Sequence, residues 1–159
     1  MLFKPELCQA ILDGRKTQTR RLVKSGEACR DGITISRHWI SRFTFMPPPG
    51  EKLLKWDYIR PKWQVGRTYA IQPGRGKKAV GRLLLTGIRK EHLQEISCGG
   101  YMYRSDIQQE GCPFVNDPGQ MGLDEVEWFI ELWDSINAKK GTRWDDNPEV
   151  WVLEFENIT

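Results

Sequence analysis

The clearest hydrophobic pattern lies in the C-terminal third of the chain. Between residues 123 and 138, apolar residues recur every three or four positions, the spacing of one face of an α-helix. The stripe consists of Leu123, Val126, Phe129, Ile130, Trp133 and Ile136. Residues 150–156 alternate instead, with Trp151, Leu153 and Phe155 on one face, as in a β-strand. The pattern therefore predicts a long helix followed by a closing strand.

Weaker patterns predict the remaining elements. They are a helix at 5–13, strands at 17–23, 64–72 and 79–89, and a short second helix at 105–110. Pro5 suits the first turn of the first helix, and Gly14 is placed to end it. Helices and strands in this order predict an α+β fold with one small sheet or barrel.

Residues 25–62 interrupt this order. The segment has no clean periodicity, is rich in aromatic and basic residues, and contains Pro47-Pro48-Pro49-Gly50. It predicts a long insertion with one hairpin, formed by 34–40 and 41–46, within a single domain that spans 1–159. An aromatic-rich loop of this length is often functional.

Composition narrows the class of protein. A hydrophobic content of 39% with seven tryptophans is typical of a globular chain. No apolar run is long enough for a membrane span or a secretory signal, so we expect a cytoplasmic protein without membrane contact. The four cysteines are scattered without metal-ligand spacing, and the two histidines stand alone. We therefore predict neither a metal nor a cofactor.

The charge is distributed unevenly between the two halves. Residues 1–90 contain 20 Lys and Arg against 6 Asp and Glu, a net charge of +14, whereas residues 91–159 contain 4 against 15, a net charge of −11. Such asymmetry is typical of contact with nucleic acid or a membrane surface. The halves can equally neutralise each other across one fold, and both hold if acidic segments flank a basic cleft.

The densest block of cations is residues 14–21, Gly-Arg-Lys-Thr-Gln-Thr-Arg-Arg. Its cations and hydroxyls suit phosphate binding, although a strand with a solvated basic face explains them as well. In an extended strand Lys16 and Arg20 share one face and Thr19 lies on the other. Lys16 and Thr19 can therefore meet only if the chain bends near 14–16.

Further basic residues are interleaved with aromatic ones, a pattern that suits stacking of bases and pairing with phosphates. Packing of the long insertion onto the domain explains the aromatic residues equally well. The predicted nucleic-acid contacts are Arg15, Arg20, Arg21, Arg75, Lys77, Lys78, Trp39 and Trp63.

Four segments in this order resemble a known family. They are MLFKPEL…AILDGRKTQTRR, WQVGRTYAIQPGRGKKAVGRLLLTGIRKEHLQEIS, DIQQEG and WDSIN…NPEVWVLEFE. Together they resemble the ASCH domains of the PUA-like superfamily, in their bacterial and bacteriophage versions. The resemblance covers most of the chain outside the insertion. It implies a small PUA-like β-barrel with flanking helices, whose cleft receives RNA, single-stranded nucleic acid or a modified nucleoside.

The resemblance also implies a catalytic site. Some small members are amidohydrolases that remove the acetyl group of N4-acetylcytidine with a Lys, a Thr three residues later, and a Glu. By motif match these are Lys16, Thr19 and Glu110. Other members are proposed ribonucleases or RNA-binding modules. Three functions therefore stay open: a nucleic-acid-binding domain, which the sequence favours, a hydrolase of a modified nucleoside or RNA, and a domain that docks an acidic protein.

Overall fold

The structure is a computed structural model, and it describes residues 1–24, 35–36, 62–98, 106–114 and 123–159. Three α-helices and five strand segments lie in these ranges. In chain order they are α1 (Pro5–Leu12), β1 (Gln18–Leu22), β2 (Ile35–Ser36), β3 (Thr68–Ile71), β4 (Gly81–His92), α2 (Asp106–Gln109), α3 (Leu123–Asn137) and β5 (Glu149–Asn157). Short 3₁₀ turns follow β4 and α3 and precede β5.

The strands form one curled antiparallel sheet, a half-barrel with flanking helices. Its order is β1-β5-β4-β2, and β3 pairs with the first part of β4. In the described part of the chain, β1 pairs with β5 alone. The predicted α+β class is confirmed. The predicted 34–40/41–46 hairpin lies outside the described residues except for Ile35–Ser36, which pairs with β4.

Strand β5 is buried on both faces, which explains its almost continuous apolar sequence. Trp151, Leu153 and Phe155 pack with α1 in one core cluster. Val150 and Val152 point to the other face and join a second cluster with α3. Because side chains alternate along a strand, β5 ties the two halves of the core together.

Helix α3 follows the predicted stripe. Phe129 and Trp133 are buried in the second cluster, while Leu132 packs against the first. The helix therefore spans the gap between the two clusters and forms one wall of the cleft described below.

Two predicted strands differ from the structure by three or more residues at one end, whereas the other two differ by one residue at each end. Strand β3 begins at Thr68, four residues later than predicted, because residues 65–66 form a turn. Strand β4 continues to His92, three residues beyond the prediction, because its second half pairs with β5 as far as Glu149. No helix in the described ranges is long and apolar enough to cross a membrane.

Candidate functional site

The site begins where helix α1 ends. Gly14 adopts a left-handed conformation with φ of +73°, which lets the chain reverse direction after the helix. The backbone N–H of Lys16 then returns to the carbonyl of Ala10 at 2.9 Å. This bend directs the Lys16 side chain inward, where it is among the most buried side chains of the protein.

A second segment, at the end of α2, docks onto this bend. The N–H of Thr17 donates to the carbonyl of Gln109 at 2.8 Å. The Gln18 amide donates to the Gln109 side chain at 3.2 Å. These bonds connect parts of the chain about 90 residues apart in sequence and place Glu110 beside Lys16.

Lys16 and Glu110 form a buried ion pair. Nζ of Lys16 donates to Oε2 of Glu110 and to its backbone carbonyl, both at 2.6 Å. The two side chains are 1% and 4% exposed. Removing two charges from water is costly, and Coulomb attraction offsets that cost only when further hydrogen bonds are made. Buried ionisable groups with a specific charged partner are concentrated at functional sites.

Arg20 supplies the further bonds. Its Nη1 donates to the second oxygen of Glu110 at 3.0 Å, and its Nη2 donates to Glu91 at 2.6 Å and to Asp106 at 2.8 Å. Nη1 also reaches the amide oxygen of Gln18 at 3.2 Å. Three carboxylates thus surround one guanidinium, whose side chain is 1% exposed.

A second arginine extends this cluster toward the surface. Arg89 donates to Asp106 at 2.6 Å and to Glu91 at 3.1 Å, and it also contacts Glu154. Asp106 and Glu91 each therefore bind two arginines. The shared acceptors restrict the orientation of Arg20.

Burial and neighbouring charges act in opposite directions on these two cations. Burial lowers the pKa of Lys16, and the attraction of Glu110 opposes this without reversing it. Burial also disfavours the charged form of Arg20, but the carboxylates of Glu110, Glu91 and Asp106 together raise its pKa. Lys16 is therefore the member of the cluster whose proton is the more easily removed.

Thr19 lies on β1, opposite Leu153 in the register, and is buried. Because side chains alternate along a strand, Thr19 and Arg20 project from opposite faces of β1. In a fully extended strand, Lys16 and Thr19 would lie on opposite faces. The chain bends at Gly14, and both residues line one cleft together with Glu110. Within the described residues, the Thr19 hydroxyl has no hydrogen-bond partner.

The cleft is open and has a volume of about 1050 Å³. Helix α3 forms one wall with Trp133 and Asn137, and the 3₁₀ turn after it adds Lys140. A second wall includes Arg21 and Trp63. The indole N–H of Trp133 is buried without a partner in the part of the chain that the structure describes.

Cations dominate the lining of the cleft. Among the described residues, eight Lys and Arg side chains face it, against Glu110 as the single acid. These cations are Lys4, Lys16, Arg20, Arg21, Lys24, Lys62, Arg75 and Lys140. Lys16 and Arg20 are neutralised inside the cluster, so the outer lining keeps a net positive charge.

Comparisons with solved structures give two similarities of fold. One is a protein of Enterococcus faecalis V583 assigned to the DUF984 family, with a TM-score of 0.48 and 12% identity, covering 96% of this chain and 69% of that one. The other is an ASCH domain from Lactobacillus crispatus JV V101, with a TM-score of 0.42 and 14% identity, covering 95% and 69%. No family model and no curated protein matches the chain. Both are similarities of overall fold, and the proposed function does not depend on them.

The residues predicted to bind nucleic acid have different locations. Arg21, Arg75 and Trp63 line the cleft. Arg15 is exposed and pairs with Asp13 at 3.3 Å, away from the cleft lining.

The other predicted contacts have three kinds of location. Lys77 and Lys78 are exposed just after the turn at 75–76 and are not among the cleft-lining residues. Trp39 lies outside the described residues. Arg20 lines the cleft, but its guanidinium is buried and its donors are taken by carboxylates.

Sequence reasoning missed the partners of Arg20. Asp106 and Glu110 are four residues apart in a predicted helix, a spacing that places both on one face and signals an acidic pair. Glu91 gives no such signal, since it meets Arg20 only through the sheet. In the described residues no group of His, Cys, Asp or Glu is arranged to hold a metal ion. Cys8 and Cys112 are buried free thiols.

One glycine makes the close approach of Glu110 possible. Gly111 has φ of +92°, and a Cβ built on it would lie 3.0 Å from Cβ of Lys16 and 3.3 Å from Cβ of Ala10. We expect Gly111→Ala to lower the free energy of unfolding by about 1–3 kcal/mol, because a side chain is strained in this conformation and also crowds Lys16. Urea denaturation measures the change.

A matched control is Gly141→Ala, since Gly141 also has a positive φ, +78°, but has no atom within 4 Å of a built Cβ. The backbone cost is common to both variants, so only Gly111→Ala should also alter the environment of Lys16. Equal stability losses, with an unchanged Lys16 titration in both, would contradict the crowding.

Proposed function

We propose that this protein binds RNA or single-stranded nucleic acid in the cleft. The observation that supports this most directly is the excess of cations on the cleft lining, which the internal cluster neutralises only in part. An excess of cations attracts phosphates over a long range, and the bound counterions are released when a polyanion binds. The family resemblance of the sequence points to the same ligand class.

Aromatic side chains beside these cations provide the second half of such a site. Trp63 lines the cleft half-buried, with the Lys62 ammonium 5.2 Å from its ring centre and Tyr69 edge-on at 5.5 Å. A ring held in this way offers a flat surface on which a base can stack, at about 1–3 kcal/mol per base. Stacking does not depend on base identity, so we expect broad sequence tolerance.

The salt dependence of binding tests the proposal. If about three cleft cations each contact a phosphate, the logarithm of the association constant should fall with the logarithm of salt concentration with a slope of about −2. Lys140→Ala should reduce that slope by about 0.7, because one phosphate contact is lost. Fluorescence anisotropy with a labelled single-stranded RNA measures the slope.

Lys139→Ala is the matched control, because Lys139 is the neighbouring lysine, is exposed, and does not line the cleft. It should leave the slope within error of the unsubstituted protein. Affinity that is independent of salt, or equal effects of the two lysines, would count against cleft binding. The remaining hypothesis, docking of an acidic protein, would then be favoured.

A second function is favoured by a separate observation, the convergence of Lys16, Thr19 and Glu110 on the inner part of the cleft. These residue types suit hydrolysis of an acyl group from a nucleobase amine. A threonine hydroxyl is a weak nucleophile unless a base accepts its proton. Lys16 suits that task, since burial lowers its pKa.

The proposed reaction has two stages. Oγ of Thr19 attacks the acyl carbon while Lys16 takes the hydroxyl proton, and the C–N bond then breaks as the leaving amine gains a proton. Water subsequently attacks the threonyl ester, which releases the carboxylic acid and restores Thr19. Glu110, the acid of the three residues, is the group that protonates the amine in this scheme.

Incubation of the purified protein with N4-acetylcytidine, and separately with RNA, tests the second function. Appearance of cytidine and acetate supports an amidohydrolase, and shortened strands support a ribonuclease. If neither product forms, the catalytic proposal fails and the binding proposal is unaffected.

A further inference from the structure

The carboxylate of Glu110 is held by a cation on each oxygen. Lys16 binds Oε2 at 2.6 Å and Arg20 binds Oε1 at 3.0 Å. The residue is buried, and each of its two oxygens accepts a hydrogen bond from one of these cations. Glu110 thus acts as an acceptor on both oxygens.

Arg20 is itself held by two further carboxylates, those of Glu91 and Asp106. Glu91 accepts from its Nε and Nη2, and Asp106 accepts from Nη2. Arg89 holds both of these acids from the surface side. An arginine whose fork binds several carboxylates has little freedom to reorient, so the position of Glu110 is determined by a set of bonds outside the cleft lining.

We propose that Arg20 is a positioning residue, which holds Glu110 as a hydrogen-bond acceptor so that Lys16 alone transfers the proton in both stages of the reaction. The inference rests on the hydrolase function proposed above. It reassigns Glu110 from proton donor to a group that orients Lys16.

The two bonds that Lys16 makes explain why this arrangement suffices. A neutral amine has two N–H groups and one lone pair. Both N–H groups have acceptors on Glu110, the Oε2 atom and the backbone carbonyl. Among the contacts with described residues, the lone pair is the position left on Nζ, and in the proposed reaction it accepts the Thr19 proton. The ammonium that results can return this proton to the leaving amine.

Arg20 also acts on Lys16 through its charge. The charged groups that act on Lys16 are Glu110, from the end of α2, and Arg20 and Arg21, from β1. The two arginines oppose protonation of Lys16, and burial does so more strongly. Loss of Arg20 should therefore make Lys16 retain its proton to higher pH.

NMR titration of ¹³Cε-labelled lysine tests this without any substrate. The Lys16 signal is identified by its absence in Lys16→Arg. Arg20→Gln should raise the titration midpoint of Lys16 by about 1 pH unit, since one nearby positive charge is removed. Arg15→Gln is the control, because it removes the same charge from an exposed arginine close in sequence. An unchanged midpoint in Arg20→Gln, or an equal shift in both variants, would overturn the inference.

Kinetics provide a second readout if Arg20→Gln does not fold. Arg20→Lys keeps the charge but loses the fork, so kcat should fall about 10- to 100-fold at constant KM, because Glu110 is no longer held in place. Full kcat in Arg20→Lys would contradict a positioning role. If the unsubstituted protein turns over no substrate while the Lys16 midpoint still shifts, the hydrolase proposal fails but the coupling of Arg20 to Lys16 stands.

Discussion

Lys16→Met should lower kcat for hydrolysis of a nucleobase amide about 10²- to 10⁴-fold, the range over which a positioned acid–base group contributes. The methionine fills similar space without a charge, and Glu110 keeps Arg20 as its partner. Thr19→Val should have at least as large an effect, because it removes the nucleophile and keeps the shape. Initial rates of cytidine release from N4-acetylcytidine measure both.

The double variant of Lys16 and Thr19 should lose little more than the worse single variant, because the two residues act in one step. Lys77→Met is the control, since Lys77 is exposed and does not line the cleft. Additive losses, or full activity in Thr19→Val, would remove these residues from the reaction.

Glu110→Gln should lower the free energy of unfolding by about 3–5 kcal/mol, the cost of removing one partner from a buried ion pair. Among the described residues, Lys16 loses the one acid that pairs with it, and Arg20 loses one of three carboxylates. Urea denaturation at neutral pH measures the loss. Glu127→Gln, on the exposed face of α3, should change stability by less than about 0.5 kcal/mol. Similar effects of the two substitutions would contradict the structural role of the pair.

The loss in Glu110→Gln should depend on pH with a definite sign. The pKa of Lys16 is lowered in the folded state from an ordinary value of 10.5, so the unfolded chain binds this proton more tightly. Removal of Glu110 lowers the folded pKa further. While Glu110 is ionised, the deficit should therefore be largest where Lys16 is protonated, near neutral pH, and shrink as pH rises toward 10.5. A deficit that grows with pH would show that Lys16 is not the affected group.

The regular elements of this fold could be predicted because each has a simple pattern. Helix α3 was predicted at 123–138 and extends over Leu123–Asn137, since its apolar spacing matches one helical face. Alternation in β5 likewise placed Trp151, Leu153 and Phe155 together in one core cluster. Local periodicity is sufficient where an element buries one continuous face.

The site was only partly predictable, because its contacts join distant segments. Lys16, Thr19 and Glu110 came from a motif match, but strand alternation separated Lys16 from Thr19. The turn at Gly14 brings both to one cleft, and no periodicity reports a turn of this kind. The role of Arg20 was missed because its acids lie more than 70 residues away in sequence.

The charge asymmetry has two explanations, neutralisation within the fold and a basic cleft for a ligand, and the described residues support both. Acids of the second half, Glu91, Asp106 and Glu110, neutralise Lys16 and Arg20 of the first half inside the cluster. Other cations line the cleft, where Glu110 is the single acid among the described lining residues. Net charge alone could not divide the cations between these two groups.

The central claim is that the cleft receives a base-bearing ligand, and indole N–H signals in ¹⁵N NMR test it directly. Trp63 and Trp133 line the cleft, whereas Trp144 and Trp151 do not. Addition of a short single-stranded RNA should shift the signals of Trp63 and Trp133 and leave those of Trp144 and Trp151 in place. No shift at saturating RNA, or shifts confined to Trp144 and Trp151, would contradict binding in this cleft.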